Sequence, residues 1–176
     1  VIAPSIVGLI SQRFPLQHVY LLSLTFLFPL LLVAFSHLRK IPTTPPKQIN
    51  MAGTLKETWT NRDLRYGILA HFILQFFYAW MVIYLPLYLT EIIGFTWAEI
   101  GMLFTIMLLP FLLFEIPVGW LADKKLGEKE LMILGFSMMS IITACFLIPT
   151  TASFWTWAIL LFLSRVGASI AEITTE

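Results

Sequence analysis

Charged positions along this chain are separated by long apolar runs, and the runs have the length of membrane crossings. Residues 14–38 and 66–90 each give roughly 25 consecutive positions without a formal charge, enough for the ~20 apolar residues that span a ~30 Å hydrocarbon core. A third run, 100–122, is of similar length and is broken once, by Glu115. The fourth, 131–164, holds about 34 residues, or ~50 Å of helix at 1.5 Å per residue. It must therefore turn back. Pro149-Thr150-Thr151-Ala152-Ser153 is the place for the reversal, a helix-ending proline followed by residues that cap the next helix. The pattern predicts an incomplete helix ending near Ser11, then helices at about 17–38, 67–90, 97–122, 131–148 and 153–175. Thr96-Trp97-Ala98-Glu99 has capping-box spacing and marks one start.

Composition agrees with this pattern and sets the class. The 176 residues are 59% hydrophobic and 12% charged, with a net charge of +1 and a mean hydropathy of +0.86. A soluble domain carries about 25% charged residues, so water is not the main solvent here. The expected fold is an all-α integral membrane protein with about five full membrane helices and one incomplete one. The lipid bilayer is the first expected partner, and a nucleic-acid surface, which needs a basic excess or stripe, is not expected. Cys145 is alone, so there is no disulfide framework. The chain opens at Val1 and closes at Glu176 in a stretch that still reads as helix, so it is expected to be a piece of something longer, with the remainder of its own chain as a partner. No secretory signal is visible.

Orientation follows from the basic residues. Arg39 to Arg65 holds six of them, Arg39, Lys40, Lys47, Lys56, Arg62 and Arg65, and the turn from Asp123 to Glu130 holds three, Lys124, Lys125 and Lys129. The alternate connections, 91–99 and 149–153, hold none. Two helices separate the basic segments, so both lie on one side, and the positive-inside rule makes that side cytoplasmic. Arg13 is the exception on the outer face. Within the long linker, Pro42, Pro45 and Pro46 stiffen the beginning, and Thr54-Leu55-Lys56-Glu57 again has capping-box spacing, with Leu55 and Trp59 one turn apart. A short helix on the cytoplasmic interface and a flexible tether both fit.

The most informative segment is Gly119-Trp120-Leu121-Ala122-Asp123-Lys124-Lys125-Leu126-Gly127-Glu128-Lys129. Read as a short basic turn, its glycines would allow a tight reversal and its carboxylate would meet helix-end amides or cations. It resembles the G-x-L-a-D-R-x-G-R-K loop of the major facilitator superfamily of secondary transporters. Gly119, Leu121, Ala122 and Asp123 fall on that pattern and Lys124 takes the place of its arginine. One extra residue precedes Gly127, and Glu128 stands where a basic residue is usual. Leu161-Phe162-Leu163-Ser164-Arg165 resembles the family's L-x-x-x-R motif, and Ala3-Pro4-Ser5-Ile6-Val7-Gly8 is similar to the antiporters' fifth-helix G-P-x-x-G-G element. Leu85-Pro86-Leu87-Tyr88-Leu89 with Gly94-Phe95-Thr96 looks like the outer end of a first or seventh helix.

The resemblance implies a twelve-helix transporter of which this chain covers late helix five to most of helix ten. Residues 1–38 would end the N-terminal half, 39–65 would be the cytoplasmic central loop, and 66–176 would start the C-terminal half. It implies movement of a small-molecule substrate by alternating access in the cell membrane, with the halves rocking about a midplane site. Proton coupling and efflux are the expected mode; import of a sugar or organic acid is the alternative within the family. A polytopic membrane enzyme or receptor is the rival class. Gly119, Asp123 and Gly127 would form a conformational latch.

Two charges sit where lipid would penalise them by about 2.5–3.5 kcal/mol each, Glu115 and Arg165. Each should face protein or water. Glu115, if a guanidinium partner comes and goes, is a proton-coupling candidate; the alternatives are a permanent pair with Arg165 or membership of the charge cluster around Asp123. Arg165 lies near the midplane and either touches the substrate path or ties helices together. Glu172 is about two turns further on the same face, too far along the axis for an easy direct link, so separate partners are expected. His71, Gln75 and Tyr78 fall at i, i+4 and i+7. Such a stripe suits a cavity lining, with Gln75 and Tyr78 as pathway residues, or plain helix-to-helix hydrogen bonding. Tyr84, Tyr88 and Trp97 suit an interfacial aromatic belt. No glycine loop for ATP, no metal-binding spacing around His18, His37 or His71, and no nucleophilic constellation is present. Neither a cofactor nor an enzymatic activity is therefore expected.

Overall fold

The computed structural model describes residues 2–15, 17–38, 51–124, 127–147 and 153–175, and among them every element is helical. Seven helices follow in order: α1 (Ala3–Arg13), α2 (Gln17–Leu38), α3 (Met51–Thr60), α4 (Arg62–Glu91), α5 (Trp97–Lys124), α6 (Glu128–Cys145) and α7 (Phe154–Thr175). Four of them, α2, α4, α5 and α7, are long and apolar enough to cross a membrane. α6 has 18 residues, and Glu128, Lys129 and Glu130 occupy its first turn. It ends at Cys145, with Phe146 and Leu147 already in a turn, and so stops short of the predicted 148; residue 148 and the predicted reversal at 149–152 lie outside the described residues.

Local chemistry explains the boundaries. α4 starts five residues ahead of the predicted position because Asn61 caps it, its side chain accepting from the Asp63 amide at 3.1 Å. α4 ends at a turn in which Gly94 takes φ +85°, a conformation that favours glycine. The box at the start of α5 forms as expected: the Thr96 amide and hydroxyl both donate to Glu99 Oε2 at 2.8 Å, and the Glu99 amide donates to Thr96 Oγ1 at 3.4 Å. In the linker the short helix does form, but it begins at Met51, so Thr54 to Glu57 lies inside α3 and not at its start.

α7 is the centre of the packing, with α5 parallel to it and α4 and α6 antiparallel. Trp157 and Leu161 of α7 are fully buried against Leu103 and Met107 of α5 and Met81, Leu85 and Leu89 of α4. Tyr88, expected in the aromatic belt, packs on Trp157 with ring centroids 5.8 Å apart. Toward the other end, Val118, Leu131 and Ile170 join α5, α6 and α7. Small residues let the helices close up where lipid offers no hydrophobic drive. A Cβ on Gly135 would lie 2.8 Å from both Gly167 O and Ala171 N, so α6 and α7 touch backbone to backbone.

α1 packs on α5 in the same manner. A Cβ on Gly8 would lie 2.5 Å from Trp97 O, and one on Gly101 2.5 Å from Pro4 O. Ser5 and Thr105 hydroxyls are 2.6 Å apart across this contact. The antiporter-like segment is therefore the surface by which α1 reaches α5. α2 leaves its apolar side chains exposed and meets little besides α1. The starts of α4 and α6 lie at one end of the bundle, where Lys129 Nζ is 3.8 Å from Asp63 Oδ1. That places the described ends of the two basic segments, at Asp63 and Lys129, on one side, as the charge count requires.

Candidate functional site

The polar centre of the bundle lies between α4 and α7. Arg165 sits mid-way along α7 and is 4% exposed. Its guanidinium carbon lies 4.9 Å from the Tyr78 ring centroid and 5.7 Å from that of Phe77. Two aromatic faces thus take the place of water around the cation. The Tyr78 hydroxyl donates to Glu172 Oε2 at 2.9 Å and lies 3.4 Å from the Ala168 carbonyl oxygen. Phe111 of α5 meets the Tyr78 ring edge-on at a centroid distance of 6.1 Å and fixes its orientation.

Helix geometry makes this cluster possible. Arg165, Ala168 and Glu172 are at i, i+3 and i+7, on one face of α7. The antiparallel α4 brings Tyr78 between them, so a phenol bridges a separation that the two charged side chains do not close themselves. Arg165 Nε is buried without a hydrogen-bond partner, and among the described residues Lys129–Asp63 is the single ion pair. The site therefore holds a desolvated cation whose Nε–H has no acceptor, and an anionic or acceptor group reaching it would relieve the cost of burying it.

The other predicted residues are placed differently. Gln75 is exposed, with its Nε2 3.3 Å from His71 Nε2. The His71–Gln75 pair thus forms a local contact on α4, one to two turns from Tyr78. Glu115 is exposed on α5 and has neither an ion pair nor a hydrogen bond in the described structure. The permanent pair between Glu115 and Arg165 is not formed. Glu172 was read only for its spacing from Arg165; its role as the acceptor from Tyr78 depends on interhelix register, which spacing along one helix does not reveal.

The Gly119 to Lys124 segment is also corrected. α5, expected to end at 122, runs on to Lys124, so Gly119 lies within the helix and Asp123 and Lys124 are not part of the turn. A Cβ on Gly119 would meet nothing within 4 Å, so this glycine is not needed for a reversal or a close contact among the described residues. Leu121 packs with the Val118, Leu131 and Ile170 cluster. Lys124 Nζ lies 5.4 Å from the Trp120 ring centroid. Gly127 is the N-cap of α6 at φ −65°, and a Cβ there would run into the Glu130 carboxylate. The Asp123 side chain is outside the described residues.

A sequence profile of the Major Facilitator Superfamily matches residues 1–175, almost the whole chain. The chain belongs to the major facilitator superfamily. No curated protein and no solved structure matches it. Membership makes it part of a multi-pass integral membrane transporter that moves a solute, in a family of transporters and not of enzymes. In this superfamily member the motif-bearing end of α5 is helical, and the buried Arg165 cluster marks the middle of the bundle.

Proposed function

We propose that the full-length protein is a proton-coupled transporter of the cell membrane that exports a small solute by alternating access, with Arg165 and Tyr78 on the solute pathway and Gln75 at its cytoplasmic approach. Residues 1–38 close the first half, 39–65 form the central loop, and 66–176 open the second half. One observation carries the reading: a guanidinium buried mid-helix, held by rings and with a free Nε–H, beside a carboxylate. A purely structural arginine would be expected to use its donors on helix partners, because an unpaired buried charge is costly. Two carboxylates lie inside the crossing helices, Glu115 on α5 and Glu172 on α7, and one of them carries the proton. The free Arg165 donor also favours the organic-acid reading over the sugar reading, since it suits a carboxylate.

The test uses full-length protein in proteoliposomes with an imposed pH gradient and three probes, ethidium, labelled lactose and labelled lactate. Gradient-driven movement of one probe, collapsed by a proton ionophore and reduced at least tenfold by Arg165→Gln, is the expected result. Movement that ignores both the gradient and the substitution would refute the proposal.

A further inference from the structure

We propose that Glu172 carries the coupled proton, and that Tyr78, whose hydroxyl bonds this carboxylate while its ring lies under the Arg165 guanidinium, converts protonation into release of α4 from α7. The inference rests on the proton-coupled reading and names the residue behind it. Three observations support it. The Tyr78 to Glu172 bond at 2.9 Å joins α4 to α7, and no other side-chain hydrogen bond between these helices' side chains is present among the described residues. The rest of the α4–α7 contact is apolar, Leu74, Met81, Leu85 and Leu89 against Trp157, Leu161, Ala168 and Ala171, so this bond is the side-chain tie between the two helices whose strength depends on charge. The ring of Tyr78 is boxed by Arg165, Phe77 and Phe111, so its hydroxyl cannot swing to a new partner without movement of α4.

The surroundings of Glu172 single it out. From α4 it faces Tyr78, with Gln75 and His71 one to two turns further toward the cytoplasmic end. The faces that α5 and α6 turn to α7 carry Phe111, Val118, Leu131, Gly135 and Met139, none of them ionisable. On its own helix the one nearby charge among the described residues is Arg165. Glu128, Lys129 and Glu130 at the start of α6 are exposed and outside the cluster.

The step balances simply. A proton from water adds to the Glu172 carboxylate, Tyr78 keeps its own proton, and the bond between them changes from charge-assisted to neutral. Charge-assisted bonds are roughly twice as strong as neutral ones. The cluster goes from neutral overall to a net positive charge at Arg165, which strengthens its hold on an anionic group at the free Nε–H. Proton binding and helix release are thereby one event at one carboxylate.

The experiment uses full-length protein with Cys145→Ser, spin labels at the exposed Ile83 of α4 and Ile159 of α7, and proteoliposomes at pH 8 and pH 5. Acidification is expected to raise the population with the longer label distance roughly tenfold. Glu172→Gln should show the longer distance at both pH values, as should Tyr78→Phe, which retains the carboxyl. Infrared difference spectra should show a carboxyl band on acidification that is absent in Glu172→Gln and kept in Tyr78→Phe and in Glu115→Gln. A band that survives Glu172→Gln, or a distance response unchanged by both substitutions, overturns the assignment. Gradient-driven probe transport that persists undiminished in Glu172→Gln overturns it while leaving proton coupling intact. Absence of gradient-driven transport in the unsubstituted protein removes the coupling reading itself, and the coupling role of Glu172 with it.

Discussion

Replacing Gly101 by alanine should force α1 off α5. The new Cβ would sit 2.5 Å from Pro4 O and 3.1 Å from Gly8 Cα, both backbone positions that no rotamer change can clear. Restoring ordinary contact requires the helices to part by about 1 Å, and overpacking of this kind costs ~1–3 kcal/mol. The Ser5–Thr105 hydroxyl bond at 2.6 Å would break as well, adding about 1 kcal/mol. The sum is about 2–4 kcal/mol against the packed arrangement, a shift of roughly 30- to 700-fold. If residues 1–38 and 66–176 belong to opposite halves, this contact is a seam between them, and wedging it biases the transporter's conformational equilibrium. The assay is pulsed electron resonance on full-length protein carrying labels at the exposed Ile6 and Met102, with Cys145→Ser. Gly67→Ala is the control, since a Cβ there meets nothing within 4 Å and alanine is favoured over glycine in a helix by about 0.5–1 kcal/mol. A longer Ile6–Met102 distance in Gly101→Ala but not in Gly67→Ala is expected. Identical distributions in the two variants would refute the reasoning.

Two further outcomes follow from the packing. Thr96→Ala removes one side of the α5 capping box and should cost ~1 kcal/mol; hydrogen exchange should speed up in the first turn of α5 and stay unchanged in α7. Gly135→Ala places a Cβ 2.8 Å from Gly167 O and Ala171 N and should destabilise the α6–α7 pair by ~1–3 kcal/mol. A lower melting temperature checks it, and adding Gly167→Ala should cost less than the sum of the two, because both fill the same contact.

The crossings were legible because a bilayer demands apolar length, and that demand shows in the charge spacing without knowledge of the packing. α2 ends where the charge-free run does, and the Thr96–Glu99 box is a local rule that the structure repeats. α4 extends beyond its apolar run because its first turn, Arg62, Asp63 and Arg65, is polar, and the Asn61 cap that starts it lies outside that run. The end of α5 is expected at 122, where the charges begin, yet the helix runs on through Asp123 to Lys124, and Gly119 sits inside it because membrane helices tolerate glycine well. At the site, Arg165 was legible from the cost of its position. Its neighbours were not, because the register that sets Tyr78 beside Glu172, 94 residues away, is decided by how α4 lies on α7 and leaves no mark on either helix alone.

Register also separates the two membrane carboxylates. At 100° per residue, Glu115 falls on the α5 stripe of Gly101, Thr105, Leu108 and Leu112, and the first two of these are the residues that meet α1. It points toward the continuation of the α1–α5 seam and away from α7. Glu172 faces α4 and is already held by a phenol. The same functional group thus belongs to two different helix contacts. A proton on Glu115 would alter a surface with no polar partner among the described residues, whereas a proton on Glu172 changes the strength of a bond that joins two crossing helices. Only the second has, within these helices, a mechanical consequence attached to the change of charge.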